Sequence, residues 1–142
     1  MSILHSPLTG SQLEGSYIPR PRNAFLMLTA HNRATEVELE MESAVRAVLN
    51  EFNFVSCIAS ETPGTGDYLK KIVDLIRGCG FCIAIYLNKT RSSTMGNIFF
   101  EAGVAQLMGK PVHLLTAGKN ITPSDFVRHN LYSPPLAEPV PP

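Results

Sequence analysis

The sequence predicts an α/β fold built on a doubly wound parallel sheet of about four to five strands. Two observations carry that expectation. Apolar runs of strand length alternate with longer stretches whose apolar residues recur at helical spacing, and strict alternation of the two marks a parallel sheet. One stretch also shows the repeating unit whole. Phe81-Cys82-Ile83-Ala84-Ile85-Tyr86-Leu87 reads as a buried strand, Asn88 to Thr94 as a polar, cationic loop, and Met95 to Met108 as an apolar helix with Glu101 its one charge. Gly109-Lys110-Pro111 then turns the chain into Val112-His113-Leu114-Leu115, the next strand.

The other elements follow in order. Residues 1–22 hold Pro7, Gly10, Gly15, Pro19 and Pro21 without sustained periodicity and read as an extended lead-in. Ala24 to Thr29 is apolar throughout and predicts a central strand. Thr35-Glu36-Val37-Glu38 fits a capping box, in which the Thr35 hydroxyl accepts from the Glu38 amide and the Glu38 side chain reaches back. Behind it Val37, Met41, Ala44, Val45, Val48, Leu49 and Phe52 share a helical stripe. Glu36, Glu38, Glu40 and Glu42 read as a solvated face that the helix dipole favours.

Phe54 to Ala59 is the second strand, and residues 60–67 make a turn-rich loop with Asp67 as a helix cap. Tyr68, Ile72, Leu75 and Ile76 form the next stripe, ended by Gly78 or Gly80. After Leu115 the chain turns polar. Ile121 to Tyr132 holds at most one short element, and residues 133–142, with five prolines, read as a tail or linker. The domain proper is therefore 23–132. Four strands and three helices, joined by right-handed crossovers, give a flavodoxin-like sheet. The fifth strand usual there is not visible, so the sheet is small or completed by a partner.

Composition narrows the function. One domain of 142 residues buries roughly two thirds of its unfolded surface. Twelve basic and 12 acidic residues cancel, which opposes a general nucleic-acid binder. No apolar run nears the ~20 residues of a membrane span, and the start lacks a basic region followed by an apolar core. Three cysteines, an odd number, fit a reducing, cytoplasmic setting.

Glu101 is the chief candidate for chemistry. Ile98, Ala102 and Ala105 make one apolar side of its helix, with Asn97, Glu101, Val104 and Met108 beside it, so Asn97 and Glu101 stack one turn apart. Apolar neighbours desolvate the carboxyl unless it faces a cleft, and a buried carboxylate needs a partner or a task. The plainer alternative is a structural carboxylate bonding a neighbouring loop or subunit. Gly96 and Gly103 allow close approach of a ligand or another backbone. Cys79-Gly80-Phe81-Cys82 has dithiol spacing but follows a helix and enters a strand, the reverse of a redox motif at a helix start. Zinc would need a fourth ligand beside Cys57, Cys79 and Cys82, so structural cysteines and no metal are expected. His31 lies on the ligand edge, as a base or phosphate contact or as a solvated loop residue. His113, inside a strand, reads as structural. Gly64-Thr65-Gly66 lacks a Walker lysine and a full dinucleotide fingerprint.

Gly96-Asn97-Ile98-Phe99-Phe100-Glu101-Ala102-Gly103-Val104-Ala105, followed by Leu107-Met108-Gly109-Lys110-Pro111-Val112, resembles a signature of two related groups. These are the nucleoside 2-deoxyribosyltransferases and the Toll/interleukin receptor-like (TIR-like) nucleotide-binding domains of bacteria. The resemblance spans about residues 24–132, and Ser124 to Arg128 is similar to a C-terminal segment of many TIR-like members. It implies that Glu101 acts on the ribose at an N-glycosidic bond. A carboxylate there stabilises or captures the oxocarbenium character that develops as the bond breaks. Asn97 would bond ribose hydroxyls. Ser93, Thr94 and the open amides of the helix start would hold phosphate, with Lys89 and Arg91 assisting.

Thr29, His31 and Asn88 complete the substrate-binding set at the strand ends. Where many relatives carry an aspartate after the central strand, this chain has Asn88.

Two functional classes follow. One is an enzyme cleaving or transferring at an N-glycosidic bond of NAD or a nucleoside or nucleotide, with no cofactor beyond NAD as a substrate. The retained Glu101 favours it. The other is a sensor or signalling module that binds a nucleotide without consuming it, which Asn88 favours. Phe99, Phe100, Val104 and Leu107 point to sides of the helix that one sheet cannot cover. A homo-oligomer or docking to another domain is therefore expected, with no nucleic-acid or membrane partner.

Overall fold

The computed structural model describes residues 10, 18–59, 68–87, 89–117 and 131–132. The elements are β1 (Arg20–Met27), α1 (Glu36–Glu51), β2 (Val55–Cys57), α2 (Tyr68–Gly78), β3 (Cys79–Leu87), α3 (Ser92–Leu107), β4 (Val112–Ala117) and β5 (Leu131–Tyr132). All five strands are parallel, in the order β2-β1-β3-β4-β5. The chain steps one way from β1 to β2 and the other way from β2 to β3 and β4. Right-handed crossovers then require α1 on one face and α2 and α3 on the other. The two cores divide accordingly. Phe25, Met27, Cys82, Ala84 and Tyr86 pack with Ile72 and Ile76 of α2 and Ile98, Ala102 and Ala105 of α3. Ala24, Leu26 and Ile58 pack with Leu49 of α1 on the opposite face.

The second helix ends at Gly78, one of the two glycines expected to end it, while several other boundaries differ from expectation. The first strand starts at Arg20, inside the expected lead-in, and its register against β3 shifts between Arg20 and Ala24, where Pro21 offers no amide to the ladder. A Cβ on Gly80 would run into the Pro21 carbonyl oxygen, so Gly80 serves close backbone contact, while α2 ends at Gly78. The third helix begins at Ser92, which moves Ser92, Ser93 and Thr94 from the loop into its first turn. The chain also supplies its own fifth strand: Leu131 and Tyr132 pair with Leu114 and Leu115. The expected roles of residues 1–9, 11–17, Gly64 to Gly66, Asp67, Asn88, Ser124 to Arg128 and 133–142 lie outside the described residues.

The first helix is rotated from the expected stripe. Its capping box forms as predicted between Thr35 and Glu38. Val37, Val48 and Phe52, however, are about half exposed or more, while Glu38 and Glu42 are buried. The glutamates are therefore not a solvated face, and their partners explain why. Thr29 Oγ1 donates to Glu38 Oε2, and Thr35 Oγ1 lies 3.1 Å from Oε1. Thr90 Oγ1 accepts the Leu87 amide at 2.9 Å and makes a longer contact, 3.5 Å, to Glu38 Oε2. Glu42 is flanked by His31 Nε2 at 2.7 Å and Arg46 at 3.6 Å. Hydrogen-bonded carboxylates tolerate burial that isolated ones do not.

The cysteines sit in the core on the α2–α3 face. Cys57 Sγ lies 3.5 Å from Cys79 Sγ, and all three thiols are free. Hydrogen bonding to Cys57, then burial, raises the Cys79 thiol far above its ordinary range, and burial pushes Cys82 up to about 12. Neutral buried thiols are poor nucleophiles. Among the described residues no group of three or more His, Cys, Asp or Glu is placed to hold a metal. No described helix is long and apolar enough to cross a membrane.

Glu38→Ala strands the Thr29 and Thr90 hydroxyls and opens the capping box, so an expected loss of about 2–4 kcal/mol follows. Val48→Ala, on the exposed side of the same helix, should stay within about 0.5 kcal/mol. Urea denaturation of both variants measures the contrast, and equal losses would contradict the rotated face.

Candidate functional site

The carboxyl ends of β1 and β2, the start of α2 and the first half of α3 enclose a cavity of about 200 Å³. Leu26, Leu28 and Ala30 line it from β1 and the residues after it, and Ile58 and Ala59 from the end of β2. Arg33 enters from the turn before α1, and Tyr68 from the first residue of α2. Thr94, Asn97, Ile98 and Glu101 form the α3 wall, successive positions of one helical side. The neighbouring strands β1 and β3 are where the winding reverses, the place where open parallel sheets form ligand crevices.

The helix places Glu101 through its small residues. Ala102 and Ala105 are fully buried against the sheet, with Ile98 beside them. Glu101 therefore leaves the helix at the boundary between the core and the cavity. Burial pushes its carboxyl from the ordinary 4.5 up to about 7. Tyr68 is also raised, first by burial and then by the nearby Glu101 charge, so the phenol and carboxyl sense one another across the cavity. Among the described residues, none of Arg33, Tyr68, Thr94, Asn97 and Glu101 makes a side-chain hydrogen bond or ion pair. Arg33, Tyr68 and Asn97 are exposed at the mouth while Thr94 and Glu101 are half-buried deeper in, so all five are open to a ligand that enters the cavity.

The structure gathers some expected site residues and separates others. Glu101, Asn97 and Thr94 line the cavity. Ser93, Lys89 and Arg91 are exposed on or just before the first turn of α3 and do not line it. Arg91 makes no side-chain cap, which leaves the first amides of that helix open. Thr29 and His31 are turned away from Glu101. Thr29 is 4% exposed and spends its hydroxyl on Glu38, and His31 pairs with Glu42. Both line a separate small crevice with Glu38 and Glu42. Gly96 and Gly103 have open space where a side chain would stand, so no described part of the chain approaches them closely.

Arg33 and Tyr68 escaped the sequence reading. Arg33, between the first strand and the capping box, carried no motif, and Tyr68 read as the start of a core stripe although it is 61% exposed. Their positions just after β1 and at the opening of α2 were the available signal.

The sign of the Glu101 shift fixes a stability test. Its folded value lies above its unfolded one, so folding takes up a proton between pH 4.5 and about 7. The destabilising contribution is absent below 4.5, grows across that interval and is complete above about 7. Glu101→Gln mimics the protonated carboxyl. It should leave stability unchanged near pH ~4 and raise it by roughly 3 kcal/mol near pH ~8. Denaturation at the two pH values checks this, and an equal effect at both would remove burial as the cause.

No protein-family model matches the sequence, and no curated protein does. Solved structures match its fold. The 2-deoxyribosyltransferase of the psychrotolerant bacterium Bacillus psychrosaccharolyticus aligns with a TM-score of 0.50 at 20% identity, over 70% of this chain and 77% of that one. The 2-deoxyribosyltransferase of Leishmania mexicana aligns with a TM-score of 0.50 at 21% identity, over 70% of this chain and 67% of that one. At such identity the likeness establishes the architecture, a flavodoxin-like α/β fold with a parallel sheet flanked by helices.

Proposed function

We propose that this protein cleaves or transfers at the N-glycosidic bond of a nucleoside or nucleotide, with Glu101 as the group that meets the sugar. The observation that carries the reading is an unpartnered carboxyl, shifted to about 7 by burial, facing a cavity at the switch point of the sheet. The solved 2-deoxyribosyltransferases of like fold support the class of substrate. As the C1′–N bond breaks, its electron pair leaves with the base, which takes up a proton. The ionised Glu101 stabilises the oxocarbenium-like sugar or closes on C1′ as a glycosyl ester. Water then releases the sugar by hydrolysis, or a second base displaces the carboxylate by transfer. Asn97, one turn away, is placed for sugar hydroxyls. The Tyr68 ring suits the flat face of a base. The carboxyl and the substrate supply the chemistry, so no separate cofactor is required. NAD carries the same type of bond and enters this reading as a substrate. A TIR-like role rests on the sequence signature alone.

Binding without turnover, as in a sensor or signalling module, is the second reading. It gains from the outer face of α3, where Phe100 is 58% and Leu107 91% exposed. Such a face suits self-association or docking to another domain.

Two expected outcomes follow. Incubation with deoxynucleosides, a free acceptor base and NAD, followed by product analysis, should show base release or exchange. Glu101→Gln should lower it by at least about a thousandfold. The attacking form is ionised, so kcat/KM should rise with pH through a step near 7. A panel with no product, or a Glu101→Gln variant as active as wild type, would discard the catalytic reading.

Phe100→Glu should convert an associated protein into a monomer with weakened ligand binding, read by light scattering and calorimetry. A wild-type protein monomeric at tens of micromolar would remove association through α3.

A further inference from the structure

We infer that the ligand of this cavity is phosphorylated, a nucleoside 5′-phosphate rather than a free nucleoside, and that Arg33 reads its phosphate. This deepens the function proposed above and rests on it for the nucleoside part. Arg33 and Glu101 line one cavity from different elements, the turn after β1 and the middle of α3. A guanidinium and a carboxyl sharing so small a space ordinarily pair. No ion pair joins them among the described residues. Burial alone moves the Glu101 carboxyl, and it moves upward, opposite to the effect of an adjacent cation. The two groups are therefore held apart across the cavity.

Among the described residues that line the cavity, Arg33 and Glu101 are the charged ones. The Arg33 guanidinium has no described partner, and the residue's only recorded bond is its amide donating to Ala30. Tyr68, Thr94 and Asn97, the other polar walls, are uncharged side chains. Residues 28–35 and 89–91, which follow β1 and lead into α3, contain Arg33, Lys89 and Arg91 and no acid. The buried carboxylates of α1 are engaged elsewhere, Glu38 by threonines and Glu42 by His31 and Arg46. A cavity with an exposed guanidinium at one side and a carboxyl at the other favours an anion at the first and, away from that anion, a sugar at the second. A nucleotide carries both groups on one molecule. The guanidinium fork also matches phosphate oxygens two at a time.

Calorimetric titration of Glu101→Gln protein with 2′-deoxyadenosine, its 5′-monophosphate and NAD tests the assignment, alongside turnover by wild type. The monophosphate should bind about tenfold or more tightly than the nucleoside. Arg33→Ala should erase that difference by bringing monophosphate affinity down to that of the nucleoside, and Arg33→Lys should restore part of it. Arg33-dependent binding of NAD would keep the phosphate contact and move its source to a dinucleotide. Equal affinity for nucleoside and monophosphate, or an Arg33→Ala loss equal for both, would overturn the inference. Monophosphate turnover that is no better than nucleoside turnover and indifferent to Arg33→Ala would overturn it while leaving the glycosidic reading intact. Arg33-dependent monophosphate binding with no turnover would do the reverse, and no binding of any of the three would end both.

Discussion

Burying the Glu38 carboxyl at the end of β1 obliges the chain to surround it with donors. An unpaired carboxylate in that position would cost several kcal/mol. The donors come from three places: Thr29 after β1, Thr35 at the start of α1, and Thr90 after β3. Meeting the carboxyl therefore fixes the exits of two adjacent central strands against the entry of the first helix. Thr90 also accepts the Leu87 amide, so the turn leading to α3 closes on the same node. The Glu101 cavity opens beside these strand exits. Glu101 receives no such donors, and its proton affinity rises. Glu38 is buried, satisfied and holds the edge together; Glu101 is half-buried and faces the cavity with no hydrogen-bond partner among the described residues. That contrast is the strongest physical argument that the second is the functional one.

The direction of winding explains why the cavity lies where it does. With α1 on one face and α2 and α3 on the other, the segments leaving β1 and β3 diverge above the sheet. Tyr68, at the start of α2, and Glu101, on α3, are brought to one space because both helices cross the same face. The seam that seats them is made of fully buried side chains, Ile72 and Ile76 on α2 and Ala102 and Ala105 on α3, over Phe25, Met27 and Tyr86. Cys79 and Cys82 belong to this seam as well. The Cys57 hydrogen bond, then burial, raises the Cys79 thiol, and burial raises that of Cys82, so both stay protonated.

Most of this architecture was legible in the sequence because strand runs and helical stripes report burial directly. Ile98, Ala102 and Ala105 read as the inner side of α3, and they are its fully covered residues. The strand run from Phe81 to Leu87 is the core of β3. What failed was the orientation of α1. A periodic reading ranks a glutamate as solvated and a valine as buried, and it has no access to the threonines that invert the order. Thr29 and Thr90 stand 9 and 52 residues from Glu38, so that pairing has no local signature. For the same reason the sequence did not show that Thr29 bonds Glu38, that His31 pairs with Glu42, or that Arg33 lines the Glu101 cavity. The two-residue β5 was too short to show a period, and only the ladder on Leu114 and Leu115 defines it.

The third helix has to meet two demands at once. Small residues on its inner side let it lie close to the sheet, which desolvates the neighbouring position and sets the acidity of Glu101. Close seating also leaves less of the helix to bury, so Phe100 and Leu107 remain on the outside. An apolar outer stripe is costly for a solitary domain, because exposed surface of this size favours association. A polar outer stripe would have met that demand more simply. A covering partner would meet it as well. The carboxyl and the apolar stripe lie a fraction of a turn apart on the same helix. A group covering Phe100 would therefore stand at the rim of the cavity and add to the desolvation that already governs Glu101.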